Sequence, residues 1–164
     1  MAIDVCRRGG NQVFSLVGPS ADEGLTATLR GRVAQSGFSE RIVFRGPLFG
    51  LEKWQVLASA EVLVFPTRYR FEAQPLTIIE AFSVGVPVVA SDVGAIGELV
   101  DDGVNGRLVG AATVESVTQA VLSVIQERAT SDRLAEGARR TFDQEHSRDS
   151  FRANWARVIA GMRK

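Results

Sequence analysis

The chain has 164 residues, 45% of them apolar, enough for one globular domain with a sizeable core. Its 19 basic and 19 acidic side chains cancel, and with no basic tail or lysine run there is no electrostatic case for nucleic acid or an anionic membrane as partner. Apolar runs such as Val62-Leu63-Val64-Phe65 are too short to span a bilayer, the N-terminus has no signal-peptide pattern, and the lone Cys6 excludes an internal disulfide and a cysteine-based metal cluster. A reducing, cytoplasmic setting is expected, with a peripheral position at the inner membrane left open for a full-length protein.

Short β-rich runs alternate with helical stretches. Gln12–Val17 reads as a strand ending at Gly18-Pro19, and Asp22–Gln35 as a helix with Leu25, Leu29 and Val33 at four-residue spacing. Arg41–Arg45 is a strand stopped by Gly46-Pro47, and Leu51–Ala60 a short helix. Val62–Phe65 is a continuous apolar strand of the kind buried on both faces of a parallel sheet. A loop over Pro66–Gln74 leads to a helix from Pro75 to about Val84, stopped by Gly85 and Pro87. Then come a strand at Pro87–Ser91, a short helix near Ile96–Val100 and a strand at Gly106–Val109. Val114 to Met162 reads as almost wholly helical, with apolar stripes at Val117, Val121, Val124 and Ile125 and at Phe151, Trp155, Val158 and Ile159. Trp54 and Trp155 are expected to pack in the core or against this tail.

Strand–helix alternation predicts an α/β fold, a Rossmann-like parallel sheet with helices on both faces, as a single domain over 1–164 (core 3–127, helical tail 128–164). Ligands of such sheets bind beyond the carboxyl ends of the strands, here the loops after Val17, Arg45, Phe65 and Ser91. The loop after Phe65 is the informative one. It feeds a helix whose start, at Gln74-Pro75-Leu76-Thr77, offers unpaired N–H groups and the positive end of a dipole to a phosphate. Pro75 has no N–H, so Gln74, Leu76 and Thr77 are the donors. Most helix starts of this kind hold only water, and that account stands beside the ligand reading. Two carboxylates flank the site. Glu72 precedes the helix, and Glu80 lies about 7 Å along it at ~1.5 Å per residue. A sugar, a diphosphate and a ribose follow the same order. Glu72 can accept hydrogen bonds from sugar hydroxyls and Glu80 from the vicinal ribose hydroxyls. The alternative is a first-turn glutamate favoured by the dipole and an ordinary solvated one.

Glu72-Ala73-Gln74-Pro75-Leu76-Thr77-Ile78-Ile79-Glu80-Ala81-Phe82 followed by Gly85-Val86-Pro87-Val88-Val89-Ala90-Ser91-Asp92-Val93-Gly94 resembles the signature of the group-one (family four) retaining glycosyltransferases. Val17-Gly18-Pro19 is similar to that family's second-strand glycine turn, Val43-Phe44-Arg45-Gly46 to its third-strand ending near the base, and Asp102-Gly103-Val104-Asn105-Gly106 to its late loop. The resemblance covers about Ile3 to Val109. It implies the donor-binding half of a two-Rossmann-domain (GT-B) enzyme. Such an enzyme transfers sugar from a nucleoside diphosphate sugar with retention, without a metal or other cofactor. By resemblance Glu72 is the catalytic candidate and meets the sugar. Ala73, Gln74, Leu76 and Thr77 cradle the phosphates, Glu80 binds ribose, and Gly18, Phe44 and Arg45 complete the donor site.

Two departures stand out. Gly94-Ala95-Ile96-Gly97-Glu98 replaces the family's Gly-Gly-Ile-Pro-Glu. The family's first strand, with its arginine and lysine aimed at the diphosphate, has no counterpart here, because Met1–Asn11 resembles the end of the first helix. The acceptor-binding N-terminal domain is the expected missing partner. The chain is therefore expected to be inactive alone and to show a gap or exposed edge between Gln12–Val17 and Val62–Phe65. A non-catalytic nucleotide-sugar-binding module, or half of a split enzyme, is the competing account. His146 lacks an acidic or cysteine cluster, and Asp101-Asp102 reads as turn chemistry. Arg68, Tyr69 and Arg70 read as solvated loop, although an arginine there can reach a phosphate.

Overall fold

The structure, a computed structural model, describes residues 1–162. The last two residues of the expected tail, 163 and 164, lie outside the described residues. In chain order the elements are α1 (Ala2–Arg7), β1 (Phe14–Val17), α2 (Glu23–Ser36), β2 (Ile42–Gly46), α3 (Gly50–Ala58), β3 (Leu63–Phe65), α4 (Leu76–Ser83), β4 (Val88–Ser91), a 3-10 turn (Ile96–Glu98), β5 (Gly106–Val109), α5 (Val114–Ile125), α6 (Arg128–Thr141), a π-helical turn (Phe142–His146) and α7 (Arg148–Gly161). Two compact units divide the chain, 1–56 and 57–164. All strand pairings are parallel.

In the first unit β1 pairs with β2, Phe14 opposite Ile42, with an irregularity between Leu16 and Val17. The Asp22 carboxylate accepts from the Leu25 N–H at 3.0 Å and so caps α2. Its core is small: Val5, Cys6, Val33 and Ile42 are buried, with Phe14, Phe38 and Phe44 against the last three. Arg41 ties the α1–β1 connection down through the carbonyls of Gly10 and Gln12. Burial pushes the Cys6 thiol pKa up, against the opposing influences of Arg41 and a backbone hydrogen bond. The α2 helix carries its apolar stripe, buried at one end only. Val33 is inside, but Leu25 is 56% exposed and Leu29 37%. The four-residue spacing made a face, and among the described residues its first two turns are only partly covered.

In the second unit the sheet order is β3-β4-β5, with β4 central and buried along its whole length. Ile78, Ala81 and Phe82 of α4 pack with Val88, Ala90, Ile96, Val100 and Ala138 in one core. On α5, Val117, Val121, Leu122 and Val124 are buried, the stripe expected there apart from half-buried Ile125. The tail, almost wholly helical as expected, is three helices. Gln126 ends α5, and Ser147 ends the π-helical turn and caps α7 by accepting from the Ser150 N–H at 3.1 Å. The α7 stripe is present, but Phe151, Trp155, Val158 and Ile159 are all about half exposed or more, which corrects the packing expected of Trp155. Trp155 meets only Phe151 among the rings, edge to face at 6.2 Å, and Trp54 is exposed as well. Periodicity marks an apolar face but not what covers it.

The five strands thus form two sheets. Among the described residues β1 pairs only with β2 and β3 only with β4, and Ala2–Arg7 is helix, so it supplies no strand to either edge. The sequence expectation that Met1–Asn11 adds no strand holds for the described residues. No helix of the described residues is long and apolar enough to cross a membrane.

Candidate functional site

The nine predicted site residues fall into both units. In the first, Gly18 and Gly46 meet where β1 and β2 end, the Gly18 N–H donating to the Gly46 carbonyl at 2.9 Å. Phe44 is half-buried on β2 with the Arg30 guanidinium 4.6 Å from its ring centre. The exposed Arg45 donates from Nε to the Ser15 hydroxyl at 2.9 Å, so β1 holds the side chain that the sequence placed near the base.

The other six lie together on the loop after β3 and on α4. Pro75 is buried and extended (φ −64°, ψ 108°) and forms the cap, so the helix starts one residue later than expected, at Leu76. Its carbonyl accepts from the Ile78 N–H at 3.0 Å, and the hydrogen bonds of the described residues give no acceptor to the N–H groups of Leu76 and Thr77. Two donors therefore point out of the positive end of the α4 dipole, at an exposed turn formed by Ala73, Gln74, Leu76 and Thr77. Ile78, Ala81 and Phe82 root this turn in the core. Glu80, one turn on, is half-buried beside them.

Glu72 is also half-buried, and its surroundings are more constrained than its sequence position implies. The Thr67 hydroxyl reaches to 3.5 Å of Glu72 Oε1 and accepts from the Tyr69 N–H at 3.1 Å. The Glu72 N–H donates to the Tyr69 carbonyl at 3.4 Å. From the loop after β4, the Ala95 N–H donates to the Glu72 carbonyl at 2.8 Å. Gly94 lies in the left-handed region, φ +58°, with its α-carbon against the Glu72 backbone. An added Cβ would overlap the Glu72 carbonyl oxygen and come to 3.0 Å of its carbonyl carbon and nitrogen. Sequence reading did not find this contact, because it joins residues of two separate loops. Its one local signal was the glycine itself, at the end of the Ser91-Asp92-Val93-Gly94 turn.

The rest of the β3–α4 loop is exposed. Arg68 donates from Nη2 to the Ala112 carbonyl at 3.0 Å, and Tyr69 and Phe71 touch edge to face with ring centres 5.7 Å apart. Arg70 is exposed between them.

A parallel α/β chain with this loop and helix start is matched by solved GT-B glycosyltransferases. Anabaena HepE in complex with UDP superposes with a TM-score of 0.81 at 23% identity, over 98% of this chain and 44% of that one. The C-terminal domain of a group 1 family glycosyl transferase from Francisella tularensis superposes with a TM-score of 0.78 at 18% identity, over 90% of this chain and 76% of that one. The sequence profile described as glycosyl transferases group 1 matches residues 2–127, and the chain belongs to that family. It is 30% identical over 164 residues to the D-inositol 3-phosphate glycosyltransferase of Mycolicibacterium vanbaalenii, a match covering 98% of this chain. It spans about a third of the length of the curated relatives it matches, 36% in that case.

Proposed function

We propose that this chain is the donor-binding domain of a retaining glycosyltransferase, holds a nucleoside diphosphate sugar, and transfers no sugar alone. The observation that carries the reading is the α4 start. Its two N–H groups, which have no acceptor among the described residues, lie in chain order between half-buried Glu72 and half-buried Glu80, an order that matches sugar, diphosphate and ribose. Glu72 meets the sugar hydroxyls. The turn from Ala73 to Thr77 takes the diphosphate through backbone N–H groups, and Glu80 takes both ribose hydroxyls through its two oxygens. As the glycosidic bond breaks, negative charge grows on the diphosphate, and the helix dipole and these donors stabilise it. The reading needs no metal or cofactor, since the sugar nucleotide is the substrate. UDP in the related fold of HepE supports a uridine nucleotide as the first donor to try. Gly18, Phe44 and Arg45 are assigned to the base end on family resemblance.

An acceptor-binding domain is the proposed partner, in the cytoplasm. The exposed apolar stripe of α7, Phe151 to Ile159, supports a partner surface, since a monomer rarely leaves such a face in water. Calorimetric or NMR titration of the purified chain with UDP, GDP, UDP-glucose and GDP-mannose tests the donor reading. Millimolar or tighter binding to one nucleotide–sugar pair is expected. No binding to any of them overturns it. Transfer restored by a co-expressed acceptor domain separates a catalytic half from a non-catalytic binding module.

A further inference from the structure

Glu72 sits on a loop, and a loop carboxylate in water samples many positions unless its backbone is held. Here the backbone is held from a second loop. The Ala95 N–H binds the Glu72 carbonyl at 2.8 Å, and Gly94 packs so closely on the same peptide that no side chain fits between them. The left-handed φ of +58° lets the chain turn at Gly94 and aim the Ala95 N–H at that carbonyl. The carboxylate end has its own contact, the Thr67 hydroxyl at 3.5 Å from Oε1, and that hydroxyl is oriented by the Tyr69 N–H. Neither contact involves the N–H groups of Leu76 and Thr77 or the side chain of Glu80, and the phosphate turn is touched only at its first residue, whose N–H shares a peptide with the held Glu72 carbonyl.

We infer that Gly94, with Ala95 and Thr67, positions Glu72, and that this clamp governs the sugar end of the donor site more than the nucleotide end. The inference rests on the donor-site reading above and adds residues to it. A clamp of this kind changes the affinity difference between a sugar nucleotide and the bare nucleotide. A residue that only supports the fold changes both affinities together or neither.

The test is NMR titration of the full chain with two probe pairs, UDP against UDP-glucose and GDP against GDP-mannose. Wild type, Glu72→Gln, Gly94→Ala and Thr67→Val are compared on the pair that the wild type binds. Retained affinity for the bare nucleotide is the folding control. The expected result is that wild type prefers the sugar nucleotide, and that Glu72→Gln and Gly94→Ala each cut that preference by about tenfold. Thr67→Val cuts it less, and bare-nucleotide affinity stays within about twofold throughout. If Glu72→Gln loses the preference while Gly94→Ala and Thr67→Val keep it, the clamp is refuted and the donor reading stands. If wild type has no preference, or Glu72→Gln keeps it, the role of Glu72 fails and the clamp with it. Should Gly94→Ala lose nucleotide binding altogether, Thr67→Val, which removes one hydroxyl at nearly constant volume, decides: a kept preference refutes the clamp, a reduced one supports it.

Discussion

Glu80 is the residue on which the ribose assignment turns. It lies half-buried between Ile79 and the buried Ala81 and Phe82, on a helix whose Ile78, Ala81 and Phe82 face the core. A carboxylate there accepts two hydrogen bonds at once, which an amide of the same size cannot do with full charge. Glu80→Gln is expected to weaken nucleotide binding by about 1.5–3 kcal/mol. The bare nucleotide should suffer as much as the sugar nucleotide, in contrast to changes at Glu72. Equal calorimetric affinities for the variant and the wild type would remove Glu80 from the site. A second residue-scale expectation concerns Asn105, 2% exposed in the loop before β5. Its amide oxygen accepts from the Asp101 N–H at 2.9 Å, and its Nδ2 donates to the Leu99 carbonyl at 3.0 Å and the Thr141 hydroxyl at 3.2 Å. Asn105→Ala strands these groups, so urea denaturation should show a loss of about 1–3 kcal/mol. Nucleotide affinity should not change, because the residue binds loop to helix and not ligand.

At the scale of elements, α6 is set by one close approach. Gly137 is buried against the Val104 carbonyl, and an added Cβ would overlap that oxygen and come to 2.8 Å of its carbon. The α4–α6 packing around Ala138 depends on this approach. Gly137→Ala has better helix propensity by about 1 kcal/mol, but overpacking costs about 1–3 kcal/mol, so net destabilisation is expected. A melting temperature equal to or above the wild type would contradict it. Elements of this kind show how far the sequence could be read. Apolar runs bounded by Gly and Pro marked all five strands to within a residue or two, because a buried strand must be continuous and the chain must turn after it. Pro75, Leu76 and Thr77 were legible as a helix start because proline chemistry there is local. The burial of stripes was not legible. Leu25, Leu29, Phe151 and Trp155 have helical spacing, but covering them depends on elements remote in sequence. The contact of Gly94 and Ala95 on Glu72 was hidden for the same reason: it spans two loops, and nothing in either loop alone announces the other.

For the whole molecule, these observations converge on activity. A transferase of this class must bind a donor, hold an acceptor beside it and stabilise the departing diphosphate. In the proposed reading the first function falls to α4 and its loop. For the third it has two helix N–H groups and, among the cations of the β3–α4 loop, Arg68 and Arg70. Arg68 is engaged with the Ala112 carbonyl, which leaves Arg70 as the cation better placed to reach a phosphate. If, as the family resemblance implies, this chain does not itself supply the arginine and lysine aimed at the diphosphate, each such donor removed typically costs about 10²–10³ in rate. For the second function, the exposed stripe of α7 is a candidate partner surface, and among the described residues β1 pairs only with β2 and β3 only with β4. Without an acceptor held beside the donor, effective concentration contributes nothing to the rate. The purified chain, incubated with labelled UDP-glucose or GDP-mannose and a panel of acceptors, is therefore expected to transfer no detectable sugar. Adding the acceptor domain should restore transfer and raise the melting temperature, because a partner that binds only the folded chain stabilises it. Turnover by the chain alone, lost in Arg70→Ala but kept in Arg68→Ala, would show instead that Arg70 supplies the missing charge.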